Sequence, residues 1–252
     1  MMKQIVLSLC MVGLLSGYPL VSIAEQGPKN AVVSMVTGTV RTVSAANPEG
    51  RILKIGDKLA RHDSVTVEKG ARLAIRFPDR TVMRFAEASS FRIQELSYDK
   101  GTKDKHFKIS LFMGKLWAQV KKLTTPKSAV AVETSNAVAG VRGTVYGVTI
   151  EPDASSLFRV YEGSVSVSGT PKPEATQPQA GLSRPKQVPG PHAVPPPYHE
   201  VAMQEWTVIV MAMQQVTVTP DGTASKPQKF DPSSETDEWL LWNQKQDALM
   251  KL

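Results

Sequence analysis

The feature that most constrains this chain is a rhythm. Short runs of alternating apolar and polar residues recur at intervals of roughly eight to twelve residues, each broken by glycine, aspartate or proline. The clearest run is Arg72–Phe77, where Leu73, Ile75 and Phe77 fall on one side and Arg72, Ala74 and Arg76 on the other. Pro78-Asp79-Arg80 then turns the chain, and Val82–Phe85 resumes the pattern with Arg84 inside it. Ser64–Val67, Phe107–Met113 and Val130–Thr134 repeat it, and Asn47-Pro48-Glu49-Gly50 reads as a turn. Side chains of a strand alternate between its two faces, so runs of this kind bury one face each. With no long helical period before the tail, the body is predicted to be all-β. Gly38, Gly114, Gly147 and Gly163 each stand between apolar pairs, where closely stacked backbones need small residues. The pattern fits a solenoid-like or a sandwich-like body.

Different compositions flank this body. Met1-Met2-Lys3, an apolar core from Ile5 to Leu15 and Ser22-Ile23-Ala24 form a signal peptide over 1–24, with cleavage expected after Ala24. The single cysteine, Cys10, lies within it, so the processed chain has neither disulfides nor a thiol nucleophile. This predicts a periplasmic or secreted protein, with the β-domain over 25–169. Residues 170–198 are rich in proline and read as an extended linker. Residues 199–252 read as a helical tail. Ala202, Trp206, Ile209, Val210 and Met213 suggest a helix over Glu200–Gln214, and Asp231-Pro232 suggests the start of a second. In that second helix Trp239, Trp242 and Leu249 share a face. They either pack on the body or form a docking stripe.

Charge is uneven along the chain. Lys and Arg outnumber Asp and Glu by 22 to 14 over residues 25–169 and are outnumbered 7 to 9 over 170–252. For an exported protein a basic body points to anionic glycans, lipid head groups or acidic protein surfaces rather than to nucleic acid. Catalysis has little support. The four histidines are isolated, and no metal-ligand spacing, nucleophile elbow or phosphate-binding loop is present. The sequence asks for no catalytic residue, metal or cofactor. Arg72, Arg76 and Arg84 could line the outer face of neighbouring strands as an anion-binding ladder. Arg142, set among Val141, Gly143, Thr144 and Val145, is expected to be partly buried. Its donors would then be taken by backbone carbonyls or by a carboxylate such as Asp57 or Glu162, with a ligand anion as the alternative.

Several of these stretches together resemble the FecR domain. They are Leu53 with Gly56-Asp57 and Leu59, Leu73 to Asp79, Gly114-Lys115-Leu116, and Val132-Glu133-Thr134. Gly140-Val141-Arg142-Gly143-Thr144 and Val160 to Val167, with Glu162-Gly163, complete the pattern over about residues 31–168. Arg80 departs from it where glycine is usual, and Ser135 where proline is common. The resemblance implies an all-β, solenoid-like fold and a non-enzymatic role in protein–protein sensing in the cell envelope, with a protein partner there. Under it Gly140, Gly143 and Gly163 are corner residues and Arg142 is an internal clamp. The namesake's cytoplasmic sigma-factor-regulating part has no counterpart in these residues, so the resemblance implies a stand-alone exported form.

Overall fold

The computed structural model describes residues 30–170, 207–234 and 237–250. The signal segment and most of the proline-rich stretch lie outside them. The first strands are β1 (Ala31–Thr37), β2 (Val40–Ser44), β3 (Asn47–Ile52), β4 (Lys58–Leu59), β5 (Ser64–Val67) and β6 (Arg72–Arg76). The middle of the chain forms β7 (Val82–Phe85), β8 (Ser89–Tyr98), β9 (Lys105–Met113), β10 (Lys115–Gln119), β11 (Ala129–Glu133) and β12 (Ala137–Val141). After these come β13 (Val145–Ile150), β14 (Ser156–Glu162), β15 (Ser164–Gly169), β16 (Thr207–Met211), β17 (Gln214–Val218) and β18 (Gln228–Lys229). One helix, α1 (Glu238–Met250), ends the described chain.

These strands make two nine-stranded sheets packed as a sandwich. Sheet A runs β18-β17-β14-β13-β10-β7-β6-β1-β4, and sheet B runs β16-β15-β12-β11-β9-β8-β5-β2-β3. The alternation seen in the sequence is the alternation of burial. Leu73 and Ile75 of β6, Phe85 of β7, Phe91 and Ile93 of β8 and Phe107 and Ile109 of β9 all belong to one continuous core. Phe85 and Phe91, from opposite sheets, stack with centroids 3.7 Å apart.

At seven places the chain passes from one sheet to the other by bending a strand rather than by a loop. Seven bends join β1 to β2, β5 to β6, β7 to β8, β9 to β10, β12 to β13, β14 to β15 and β16 to β17. Each holds one residue of positive φ: Gly38, Gly70, Ala88, Gly114, Gly143, Gly163 and Met213 in that order. Side-chain space is as restrictive as the dihedral angle at four of them, Gly38, Gly114, Gly143 and Gly163. A Cβ on Gly114 would lie 2.6 Å from Ser89 Cα, and one on Gly143 would lie 2.8 Å from Lys122 Cα. Gly147 is different: it lies mid-strand in β13 and its φ is not positive.

The bends fall in two sets. Thr37 pairs with Arg72, Leu73 with Phe85, and Phe85 with Leu116, so the first four bends share one side of the sandwich. Gln119 pairs with Val145, Val145 with Glu162, and Val160 with Gln214, so the last three share the other. Between the sets, β9, β10 and β11 make one solenoid-like turn, which returns β11 parallel to β9.

Three local expectations change. Asn47–Gly50 is part of edge strand β3 and not a turn. The helix expected over Glu200–Gln214 is strand in its described part: Thr207–Met211 pairs with β15 and Gln214–Val218 with β14. The apolar residues there satisfy both periods, and the open edges of β15 and β14 select the extended form. The terminal helix starts at Glu238 rather than after Asp231. Asp231 instead closes its own turn by accepting from Ser233 N, while Asp237 Oδ1 accepts from Trp239 N as the helix cap.

Candidate interaction site

Two outer faces are available to a sandwich of this kind, and this chain uses them differently. On sheet A, Ala74, Arg84, Trp117, Gly147 and Arg159 lie side by side across five strands. Helix α1 lies on this row. Its sheet-facing residues are Leu240, Asn243 and Asp247. Leu240 packs with Trp117 and Val145 in a small cluster that Tyr161 and Trp239 border. Asp247 Oδ1 accepts from Arg84 Nη1 at 2.6 Å, and Asp247 Oδ2 accepts from Trp117 Nε1 at 2.9 Å. Asn243 Oδ1 takes a further Arg84 donor at 3.3 Å. At the start of the helix Lys115 Nζ meets Asp237 at 2.6 Å, and Arg72 Nη2 meets Glu238 at 2.8 Å.

The proposed arginine ladder is therefore not an open surface. The Arg84 side chain is 4% exposed and neutralised by Asp247. Arg72 is tied to Glu238 and lies 5.0 Å from the centre of the Trp242 ring. Of the three, Arg76 alone is exposed. Trp239 and Trp242 stack on each other at 5.3 Å, both half-buried. The helix face turned to the sheet is shifted from the one the sequence suggested, and Leu249 is exposed. The sheet offers a guanidinium and an indole N–H, and a buried donor needs an acceptor more than an apolar neighbour.

Arg142 exchanges roles with Arg84. It is exposed, and its side chain makes no hydrogen bond or ion pair among the described residues. The acceptors proposed for it are elsewhere: Asp57 pairs with Arg51 at 2.5 Å, and Glu162 is exposed at the foot of β14. At the bend between β12 and β13 the backbone turns the Arg142 side chain outward, and Gly143 and Thr144 do the structural work. Thr144 is buried, and its carbonyl accepts from Val120 N at 2.9 Å. A Cβ on Gly163 would lie 2.9 Å from Gly143 O, so these two bends rest against each other. Gly140 is not at a bend. It lies in β12 on the outer face of sheet B, where a Cβ would come no closer than 3.8 Å to Ser166 O.

The outer face of sheet B stays open over its C-terminal half. Ala131, Gly140, Ser166 and Ile209 lie side by side across β11, β12, β15 and β16. They floor a shallow groove of about 380 Å³ that ends at Pro126 and Arg142. Lys121 and Lys122 are exposed just beyond that end. A larger hollow of about 470 Å³ lies at one end of the sandwich, lined by Phe112, Glu133, Asn136 and Asp221 among others. Its carboxylates are already engaged: Glu133 with Lys108 and Ser110, and Asp221 with Thr223. Asn136 is engaged too, holding Val218 O at 2.9 Å. Sequence reasoning missed a second buried ion pair, Lys105 Nζ to Asp79 at 2.5 Å, because Lys105 opens a strand from a run of surface charges. Among the described residues no group of His, Cys, Asp and Glu could hold a metal ion. No helix among them is long and apolar enough to cross a membrane.

Residues 63–166, from β5 through the bends at Gly143 and Gly163, match the family model described as FecR protein. The chain carries a FecR domain. Two crystal structures of a candidate anti-sigma factor from Parabacteroides distasonis, at 2.50 Å and 1.65 Å resolution, are similar to it. Each shares 16% identity with a TM-score of 0.43, over 67% of this chain and 60% of that one. The chain therefore spans less than two thirds of the length of those proteins. No curated protein matches the sequence. Within the FecR match, the motif residues Arg142, Gly143, Thr144, Glu162 and Gly163 gather at one pair of neighbouring bends. β16, β17 and α1 lie outside it, and they extend both sheets and cover one of them.

Proposed function

We propose that this chain is a non-enzymatic interaction module of the cell envelope, in which the FecR domain presents the outer face of sheet B to a protein partner. One observation carries the reading. The outer face of sheet A is occupied by the chain's own helix α1, while the face of sheet B beside Arg142 is open, apolar and shallow. Shallow surfaces with an apolar centre and a charged rim suit a protein partner better than a small substrate. Residues 1–24 would direct export to the periplasm or beyond, leaving a mature chain that begins at Glu25.

A photo-crosslinking residue at Ser166, within the groove, tests this in envelope extract against the same residue at Arg76 on the other sheet. A discrete adduct from Ser166 that persists in high salt is expected. Equal adducts from both positions, or none from Ser166, would sink the reading. Retention on anionic glycan or lipid supports that fades with salt would instead favour an electrostatic binder, because such contacts are screened. Mass analysis of the exported protein locates its first residue.

A further inference from the structure

Each sheet has two edge strands, and an edge strand with unpaired backbone groups invites pairing by another chain unless something blunts it. Three of the four edges here are blunted. Strands β4 and β18 are two residues long and carry Lys58 and Lys229. Strand β3 contains Pro48, Glu49 and Arg51. Strand β16 has none of these devices, and of its amides only Met211 N is seen to be taken by a side chain, Gln214 Oε1 at 3.0 Å. It reads Thr207-Val208-Ile209-Val210-Met211, without charge, proline or glycine, and its strand partner among the described residues is β15 alone. Val210 is fully buried, whereas Ile209 and Met211 point outward and are 54% and 52% exposed.

This edge also borders the groove described above, of which Ile209 forms one side and Arg142 lines another part. The exposed cations Arg142, Lys121 and Lys122 outnumber the exposed carboxylate at these bends, Glu162, so the rim there is net positive. A second copy of this chain would bring the same net charge of +7. An acidic occupant is favoured on charge grounds.

The geometry points to β16 as a strand-docking edge that takes an extended acidic segment of a partner protein. That segment would add to sheet B beside β16, giving main-chain hydrogen bonds to the open edge. Because side chains alternate along a strand, its apolar residues would continue the core side of the sheet beside Val208 and Val210, and its carboxylates would lie on the outer face with Ile209 and Met211, toward the Arg142 rim. This rests on the reading of sheet B as the interaction face, and it names the partner's conformation and charge.

The test uses the full chain and three short fluorescent peptides. One alternates valine with glutamate, the second is the same peptide N-methylated at alternate residues, and the third alternates valine with lysine. Saturable binding of the acidic peptide is expected, weakened about tenfold or more by N-methylation or by lysine. Ile209→Glu and Arg142→Glu should each weaken it similarly without lowering the melting temperature. Hydrogen exchange at residues 207–211 should slow when the acidic peptide is added. Absence of binding, equal binding of the N-methylated peptide, or unchanged exchange at 207–211 would each overturn the proposal. If Ser166 adducts persist in Ile209→Glu, the edge proposal fails while the interaction reading stands. If wild-type Ser166 gives no adduct, it is the interaction reading that fails.

Discussion

Arg84 and Asp247 lie 163 residues apart in sequence and meet at 2.6 Å beneath the terminal helix, with side chains 4% and 11% exposed. The second oxygen of the same carboxylate holds Trp117 Nε1. One aspartate thus ties the last helix to two neighbouring strands of sheet A. Removing either partner leaves the other charge buried and unpaired. Asp247→Ala is therefore expected to cost about 3–5 kcal/mol in urea unfolding, while Arg84→Met with Asp247→Leu should lose much less. A single-variant loss near zero would show that the helix contact adds nothing to the stability of the body.

The bends should be intolerant where Cβ has no room. Gly143→Ala combines a positive φ with a 2.8 Å approach to Lys122 Cα, and Gly163→Ala meets Gly143 O at 2.9 Å. Each is expected to destabilise by about 1–3 kcal/mol. Gly140→Ala meets nothing closer than 3.8 Å and should change the midpoint little. Chemical denaturation of the three variants side by side checks this, and equal losses at all three would refute it.

Arg142 stands exposed and without a side-chain partner among the described residues. Arg142→Ala should therefore leave stability within about 0.5 kcal/mol of wild type, as for ordinary surface substitutions. A larger loss in thermal melting would restore the internal clamp expected from the sequence.

Tyr146 is completely buried, and its hydroxyl has no hydrogen-bond partner among the described residues. Burial also pushes its phenol well above the usual value, so it remains neutral. Tyr146→Phe removes the unsatisfied group and keeps the ring. A gain of up to about 1 kcal/mol is expected, and a clear loss in equilibrium unfolding would reveal a partner for the hydroxyl.

At Asp237, burial raises the carboxyl pKa, but the Lys115 ion pair and the Trp239 N–H outweigh it and hold the group below its ordinary 3.8. A carboxylate depressed on folding contributes fully above its unfolded value and loses that contribution as pH falls through the folded one. The helix start should thus stay tied at neutral and mildly acidic pH and loosen only below about pH 4. Tryptophan fluorescence should report that acid transition in wild type and a weaker one in Asp237→Asn. A wild-type transition near neutrality would contradict this.

Much of the fold was legible because its signals are local. The period-2 run at Arg72–Phe77 placed Leu73 and Ile75 in the core, and the glycine rhythm marked the bends at Gly38, Gly114 and Gly163. Gly147 and Gly140 were misread because a glycine in mid-strand looks the same in sequence as one at a corner. Thr207–Gln214 was misread because its apolar residues suit a helix face as well as a strand, and only the waiting edges of β14 and β15 decide between them.

The arginines mark the boundary most clearly. By itself the sequence determined that Arg84 sits on the opposite side of its strand from the core, and that Arg142 lies in a glycine-rich bend of the FecR pattern. Only the tertiary structure decided that Arg84 is buried and Arg142 exposed. Alternation records which face of a strand is apolar toward its own core. What covers the other face depends on a helix more than 150 residues later in the chain, whose sheet-facing side is set by Asn243 and Asp247 as well as Leu240. Polar complementarity of that kind leaves no periodic trace in the sequence.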